Sequence, residues 1–174
     1  MKESHKEYQE ELSKYLHEKK SVKDLCLTGL DFTSMDISGI HFYVCSFSSC
    51  RFDKVQLCRT TFQFCQLDFS RFTGCDFEET WMRYNIFAGS FFESCDFSKS
   101  DLLHTNFNGI NAVDTTFHSS DLYYSHFVSS RLKKVSFSDC NLTKVNFVAS
   151  EREDVSFKYS NIEEALFSPE GTEL

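Results

Sequence analysis

From Leu27 to Phe167 every fifth residue of this chain is apolar, 29 positions in one unbroken register with Arg152 as the single exception. A second column, two residues before each of these centres, is small or apolar. It runs from Leu25, Leu30, Met35 and Ile40 through Cys45, Cys50 and Val55 to Val155, Ser160 and Ala165, and Asn85 is its one bulky polar member. Residues beside the centres are mostly Asp, Asn, Ser, Thr, Arg, Glu or Gln, so each unit of five reads in, out, in, out, corner. A strand supplies the period of two, and the fifth residue turns the chain. An amphipathic helix repeats at about 3.6 and a plain strand at about 2, and neither holds this register.

From Phe97 onward the centres alternate Phe with something smaller: Phe97, Phe107, Phe117, Phe127, Phe137, Phe147, Phe157 and Phe167 against Leu102, Ala112, Leu122, Leu132, Leu142, Arg152 and Ile162. Stacking like on like requires an even number of sides per coil. Two sides leave no interior and six leave a void, whereas four give layers of native packing density. The spacing therefore predicts an all-β solenoid, a four-sided parallel β-helix of about seven coils with roughly 4.8 Å between coils. Small centres have compensating neighbours, as at Ala112, which Ile110 precedes.

The units Cys75-Asp76-Phe77-Glu78-Glu79, Cys95-Asp96-Phe97-Ser98-Lys99, Ser100-Asp101-Leu102-Leu103-His104 and Cys140-Asn141-Leu142-Thr143-Lys144 follow the consensus Ala-(Asp/Asn)-Leu-X-X. On these units the chain resembles the pentapeptide repeat proteins over residues 25–167. The resemblance implies a right-handed square β-helix, preceded here by a lead-in at 1–24 and followed by a tail at 168–174.

Open ends of a parallel solenoid invite aggregation unless covered. Tyr8, Leu12, Tyr15 and Leu16 fall on one helical face, and Ser4 with Glu7 has the spacing of a capping box, so residues 4–20 are predicted to form a helix that caps the first coil. The other end has no such segment. Arg152 falls on the last full coil, where its guanidinium would reach solvent, and the expected state is a monomer or the end-to-end homodimer that some relatives form.

Composition changes the picture in two places. Mean hydropathy is negative at −0.35, yet twenty Phe supply a core. No stretch is long and apolar enough to span a bilayer and no signal peptide is recognisable, so no membrane association and a cytoplasmic location are expected. Six of the eight cysteines (Cys45, Cys50, Cys65, Cys75, Cys95, Cys140) occupy the inward second column as small hydrophobes. Cys45 with Cys65, and Cys75 with Cys95, stack twenty residues apart, but parallel Cβ vectors suit a disulfide poorly. The six histidines lack ligand spacing, and no phosphate loop or nucleophile–base pair can be named. Neither catalysis nor a cofactor or metal is expected.

Function is then expected on the outer surface. Folding the chain on four sides groups Phe64, Phe69, Trp81, Tyr84, Ile86 and Phe91, and a corner column of Val44, Phe64, Tyr84, His104 and Tyr124 extends this strip, with Tyr43 and Tyr123 nearby. Such a strip either meets a protein partner or lies flat over the corner backbone. Net charge is −8, and residues 1–24 carry six acids and six bases, so the whole excess belongs to the solenoid and tail. That balance argues against direct nucleic-acid binding.

Within the family resembled, the quinolone-resistance group are acidic rods that mimic DNA and bind DNA gyrase or topoisomerase IV. The resemblance therefore implies gyrase as an alternative partner, met through Asp36, Asp76, Glu78, Glu79 and Asp96 on one side with Asp101 and Asp121 on the next. Arg59 and Lys99 sit among these acids, and the register leaves no long projecting loops. Thr172-Glu173-Leu174 has the pattern of a C-terminal PDZ ligand.

Overall fold

The computed structural model describes residues 2–168, with side chains from Glu7 onward; Thr172–Leu174 lie outside the described residues. A helix, α1 (Lys2–Lys19), leads into strands β1 (Ser21–Lys23), β2 (His41–Tyr43), β3 (Arg51–Asp53), β4 (Thr61–Gln63), β5 (Arg71–Thr73), β6 (Trp81–Arg83), β7 (Phe91–Glu93), β8 (Asn111–Val113), β9 (Arg131–Lys133) and β10 (Glu151–Glu153). All pairings are parallel and displaced by twenty residues, as in Ser21 opposite His41 and Arg51 opposite Arg71. The chain is thus a four-sided parallel β-solenoid of about seven turns.

The strands form two sheets, β1-β2-β4-β6 and β3-β5-β7-β8-β9-β10. Ten residues separate the sheets within a twenty-residue coil, so they lie on opposite sides of the rod. The other two sides are joined by single bridges such as Cys26 with Ser46 and Asp76 with Asp96. At several of these bridges an Asp or Asn before a centre also fixes the turn, its side-chain oxygen accepting the N–H two residues on. Asp121 does this for Tyr123 at 3.0 Å and Asn161 for Glu163 at 3.0 Å.

At the corners the backbone enters the left-handed region, at φ between 48° and 61° for Asp114, Tyr159 and the other non-glycine corners. Each costs ~1 kcal/mol. The cost is offset because the corner N–H still donates to the neighbouring coil, as from Ser34 to the Asp53 carbonyl at 2.8 Å.

Inside, Phe32, Phe52, Phe72 and Phe92 stack with ring centroids 4.6–4.9 Å apart. Phe42 and Phe62 stack on the opposite side at 5.0 Å. From Phe77 the bulky pair moves to the other two sides. Phe77, Phe97, Phe117, Phe137 and Phe157 form one stack at 4.2–5.4 Å, and Phe87, Phe107, Phe127, Phe147 and Phe167 the other at 4.8–5.2 Å. The two meet edge to face, as Phe117 and Phe127 do at 5.8 Å and 90°. Ile110 is buried beside Ala112 and makes up its volume.

The inward second column has a polar duty that its small size hides. Ser70, Ser90, Ser100, Ser120 and Ser130 each donate to the centre carbonyl 23 residues earlier, at 2.6–2.9 Å. Cys50 and Cys140 do the same with their thiols, at 3.0 and 2.8 Å. Burial pushes the Cys50 thiol up to about 11 and the Cys140 thiol to about 12, which suits buried donors rather than reactive groups. All eight cysteines are free thiols.

The helix covers the first coil, but by a narrower face than the sequence suggests. Leu16 is fully buried and Leu12 packs against the core, whereas Tyr8 and Tyr15 are exposed. Two leucines one turn apart suffice because the open end of a square coil is narrow. Because α1 starts at Lys2, Ser4 lies inside its first turn rather than at its N-cap, and the Ser4 side chain lies outside the described residues. The solenoid register begins with Val22, buried on β1 and paired with Phe42. Lys20, at φ 55°, ends the helix with its N–H on the Leu16 carbonyl at 3.0 Å. At the far end Arg152 does not simply extend into water: its guanidinium lies over the Phe167 ring at 5.1 Å, and burial lowers its affinity for a proton.

Candidate functional surface

Corner residues twenty apart point the same way, so the column Phe64, Tyr84, His104, Tyr124 becomes a ladder of rings on the outside of the rod. Phe64 and Tyr84 stack at 5.1 Å and 10°, Tyr84 and His104 at 5.0 Å and 13°, and His104 and Tyr124 at 5.2 Å and 37°. Tyr43 abuts Phe64 edge-on at 5.7 Å, and Tyr123 abuts His104 at 5.8 Å. A cation closes each end: Lys23 lies 5.4 Å from the Tyr43 ring and Lys144 5.9 Å from the Tyr123 ring. His126, edge-on to Tyr124 at 5.6 Å, also belongs here. His126 stands on the side next to the ladder corner, two residues after Tyr124, and that short spacing is the signal that links it to the ladder.

The remaining strip residues do not form one patch. Ile86 lies on the side adjoining the ladder and Phe69 on that side's far corner, both exposed. Phe69 lies flat over the next coil, so close that a β-carbon on Gly89 would come within 2.7 Å of its ring. Trp81 stands on β6, at the other edge of the ladder's own side. Phe91 is on β7, in the opposite sheet, so it is not part of the strip; the guanidinium of Arg71 covers its ring at 4.2 Å. Ten residues carry the chain halfway round a four-sided coil, which is why Trp81 and Phe91 face away from each other.

Between the ladder and the Phe69 corner, the side made by residues 26–28, 46–48, 66–68, 86–88, 106–108, 126–128 and 146–148 carries one formal charge, Asp68. The Asp68 carboxylate accepts the Ser48 hydroxyl at 2.6 Å.

The acidic set is partly neutralised. Glu79 accepts from Arg59 at 2.9 Å, Glu78 from Lys99 at 2.6 Å and Asp101 from the Arg83 Nε at 2.7 Å. The Arg59 hydrogen bond holds the Glu79 carboxyl below the usual carboxylate range, and the Ser38 backbone N–H does the same for Asp36. Asp76 and Asp96 accept backbone N–H groups from Glu78 and Ser98 at 2.9 and 2.8 Å, and Asp76 also accepts the Cys58 thiol at 3.0 Å. Asp121 accepts from Asn141 at 2.9 Å. Asp76 and Asp96 still stand in register on one side, and Asp101 and Asp121 on the next. Among the described residues no helix is long and apolar enough to cross a membrane.

A family model for the pentapeptide repeat region matches residues 90–167, and one for pentapeptide repeats (8 copies) matches 26–63 and 41–79. No curated protein matches. Similar solved structures include QnrB1, a plasmid-mediated fluoroquinolone resistance protein, 19% identical over 81% of this chain and 91% of that one, with a TM-score of 0.49. A pentapeptide repeat protein from the Arabidopsis thaliana thylakoid lumen is 31% identical over 48% of this chain and 62% of its own, with a TM-score of 0.35. HetL, involved in heterocyst differentiation regulation in the cyanobacterium Nostoc, is 12% identical over 87% of this chain and 90% of its own, with a TM-score of 0.28.

Proposed function

This chain belongs to the pentapeptide repeat proteins, and on that premise we propose that it is a non-enzymatic solenoid presenting a rigid surface to a protein partner. The observation that carries this reading is the pairing of an almost uncharged side with an aromatic ladder along its edge, in a chain of net charge −8. Interface cores are depleted in charge and enriched in aromatic residues, and no other side of this rod has that character. The surface is pre-organised: coil-to-coil hydrogen bonds fix each rung, so little conformational freedom is lost on binding.

Wild-type protein and a Tyr84→Ala/Ile86→Asp variant, used as baits well below the melting temperature of either, test it. A protein retained by the first and released by the second fits the reading, and equal retention overturns it.

A second reading rests on the registered acids Asp76 with Asp96 and Asp101 with Asp121, which give the rod a partial acidic stripe suited to mimicking DNA before DNA gyrase. Titration into a gyrase supercoiling assay, with and without a quinolone, separates the two. Inhibition or drug protection that survives Tyr84→Ala/Ile86→Asp and is lost in Asp76→Asn/Asp96→Asn favours the mimic.

A further inference from the structure

On the side bearing β2, β4 and β6, the outward residues His41, Thr61 and Trp81 are consecutive in-register neighbours. Adjacent strands stand about 4.8 Å apart, so His41 and Trp81 are separated by about 9.6 Å across Thr61. The neighbouring ladder shows what one such interval holds: Phe64 to Tyr84 and Tyr84 to His104 are 5.1 and 5.0 Å between ring centroids. Two intervals flanked by rings hold one more ring between them. Thr61 is too short to be that ring, and the space above it is open. A groove of about 310 Å³ is lined by His41, Thr61, Phe62, Gln63, Trp81 and Arg83. It adjoins a second, of about 500 Å³, lined by His41, Arg59, Thr61, Glu79, Trp81 and Lys99.

Trp81 sets this place apart from the rest of the aromatic surface. The ladder rings spend their faces on one another and Phe69 spends one on the backbone of Gly89, but among the described residues neither a ring nor a cation is stacked on Trp81, which is 64% exposed. The rim narrows the choice of occupant. Arg83 is committed to Asp101, Arg59 to Glu79 and Lys99 to Glu78, so the cations around the slot are already paired with carboxylates. A phosphate or carboxylate would have to break those pairs, whereas a neutral ring would not.

We propose that the slot over Thr61, between His41 and Trp81, receives one planar, neutral aromatic side chain from a protein partner. The inference rests on the protein-binding reading above and gives that surface its anchor. A ring inserted there would gain two aromatic faces at once, and its rim would be ringed by polar groups, the arrangement typical of interface anchors.

Trp81 is the only tryptophan, so the ¹⁵N-labelled protein shows one indole cross-peak that reports directly on the slot. Para-cresol, a tyrosine side-chain mimic, is expected to shift this peak saturably, with cyclohexanol weaker by about tenfold because it lacks a planar face. Thr61→Val should retain the response. Thr61→Tyr, which supplies the missing ring from within, should abolish it and should also release a partner held by the wild type. An unsaturable shift, equal binding of cyclohexanol, or an unchanged response in Thr61→Tyr overturns the slot. Tighter binding of adenosine than of para-cresol overturns the assignment to a protein side chain. The probe does not depend on the bait experiment: failure of the wider surface shows as equal capture by the Tyr84→Ala/Ile86→Asp variant, failure of the slot as absent or unselective probe binding.

Discussion

Tyr84 and His104 stack almost parallel across adjacent coils, with centroids 5.0 Å apart and planes 13° from coincidence. Together with Phe64 on the other face of Tyr84, this makes the exposed column a continuous stack rather than a set of separate aromatic residues. Each ring contact is worth ~0.5–1.5 kcal/mol, less where water reaches it. Tyr84→Ala is therefore expected to lower stability by about 1 kcal/mol in urea unfolding. A loss several times larger would mean that the ladder holds the fold rather than serving a partner.

Asn85 occupies a column otherwise small or apolar, and the structure shows why. Its Oδ1 accepts the Cys65 N–H at 2.8 Å and its Nδ2 donates to the Phe62 carbonyl at 2.8 Å, both in the dry interior. Asn85→Ala strands both backbone groups, at ~1–3 kcal/mol each, and should cost about 2–6 kcal/mol. A shift in the urea midpoint at unchanged slope would register this.

Gly89 is favoured on two counts. Its φ is +68°, and an added β-carbon would meet the Phe69 ring at 2.7 Å. Gly89→Ala is expected to destabilise by about 1–2 kcal/mol. Adding Phe69→Ala should recover the steric share and leave the backbone share, which a double-mutant cycle measures. Full additivity would place Phe69 elsewhere in solution.

Burial, with a smaller contribution from nearby His104, lowers the proton affinity of His126. A depressed native pKa means that the unfolded chain binds more protons at intermediate pH. The contribution to stability is accordingly full above the unfolded value of about 6.5 and is lost as pH falls through the lower native one. Melting temperature should decline on acidification from neutrality, and His126→Gln should flatten that decline. An identical pH profile in the variant would refute the assignment.

The helix cap makes a separate prediction. Leu16 is wholly buried against the first coil, so Leu16→Asp would place an unpaired charge there or lift α1 away. Exposure of the apolar first coil and its open strand edge should appear as larger species on gel filtration. A monomeric variant with unchanged melting would show that α1 is not needed as a cover.

The core was legible because burial in this fold is a local property. Whether a side chain points inward depends only on its place in a unit of five, and Phe117, Leu122 and Phe127 are buried as their register dictates. The cap was legible in part: Leu12 and Leu16 face the coil, but Tyr8 and Tyr15 do not, since a helix lying on a narrow square end buries fewer positions than one on a broad sheet. The surface was harder to read. Arg59 and Lys99 fall among the acids by register alone, but that Arg59 pairs with Glu79 and Lys99 with Glu78 depends on how the side chains lean between coils.

By itself the sequence determined the repeat, the twenty-residue coil, the inward columns and the need for a cover at the first coil, because these follow from periodicity and from the volume that must fill a square interior. Only the tertiary structure decided which surface groups meet. It paired the charges along the rod, let the ladder rings use their faces on each other and left Trp81 open above Thr61. The reason is physical: inward direction is set by alternation along one segment, whereas contact between outward side chains depends on how coils stack and which neighbour each long side chain leans toward, and no single repeat contains that information.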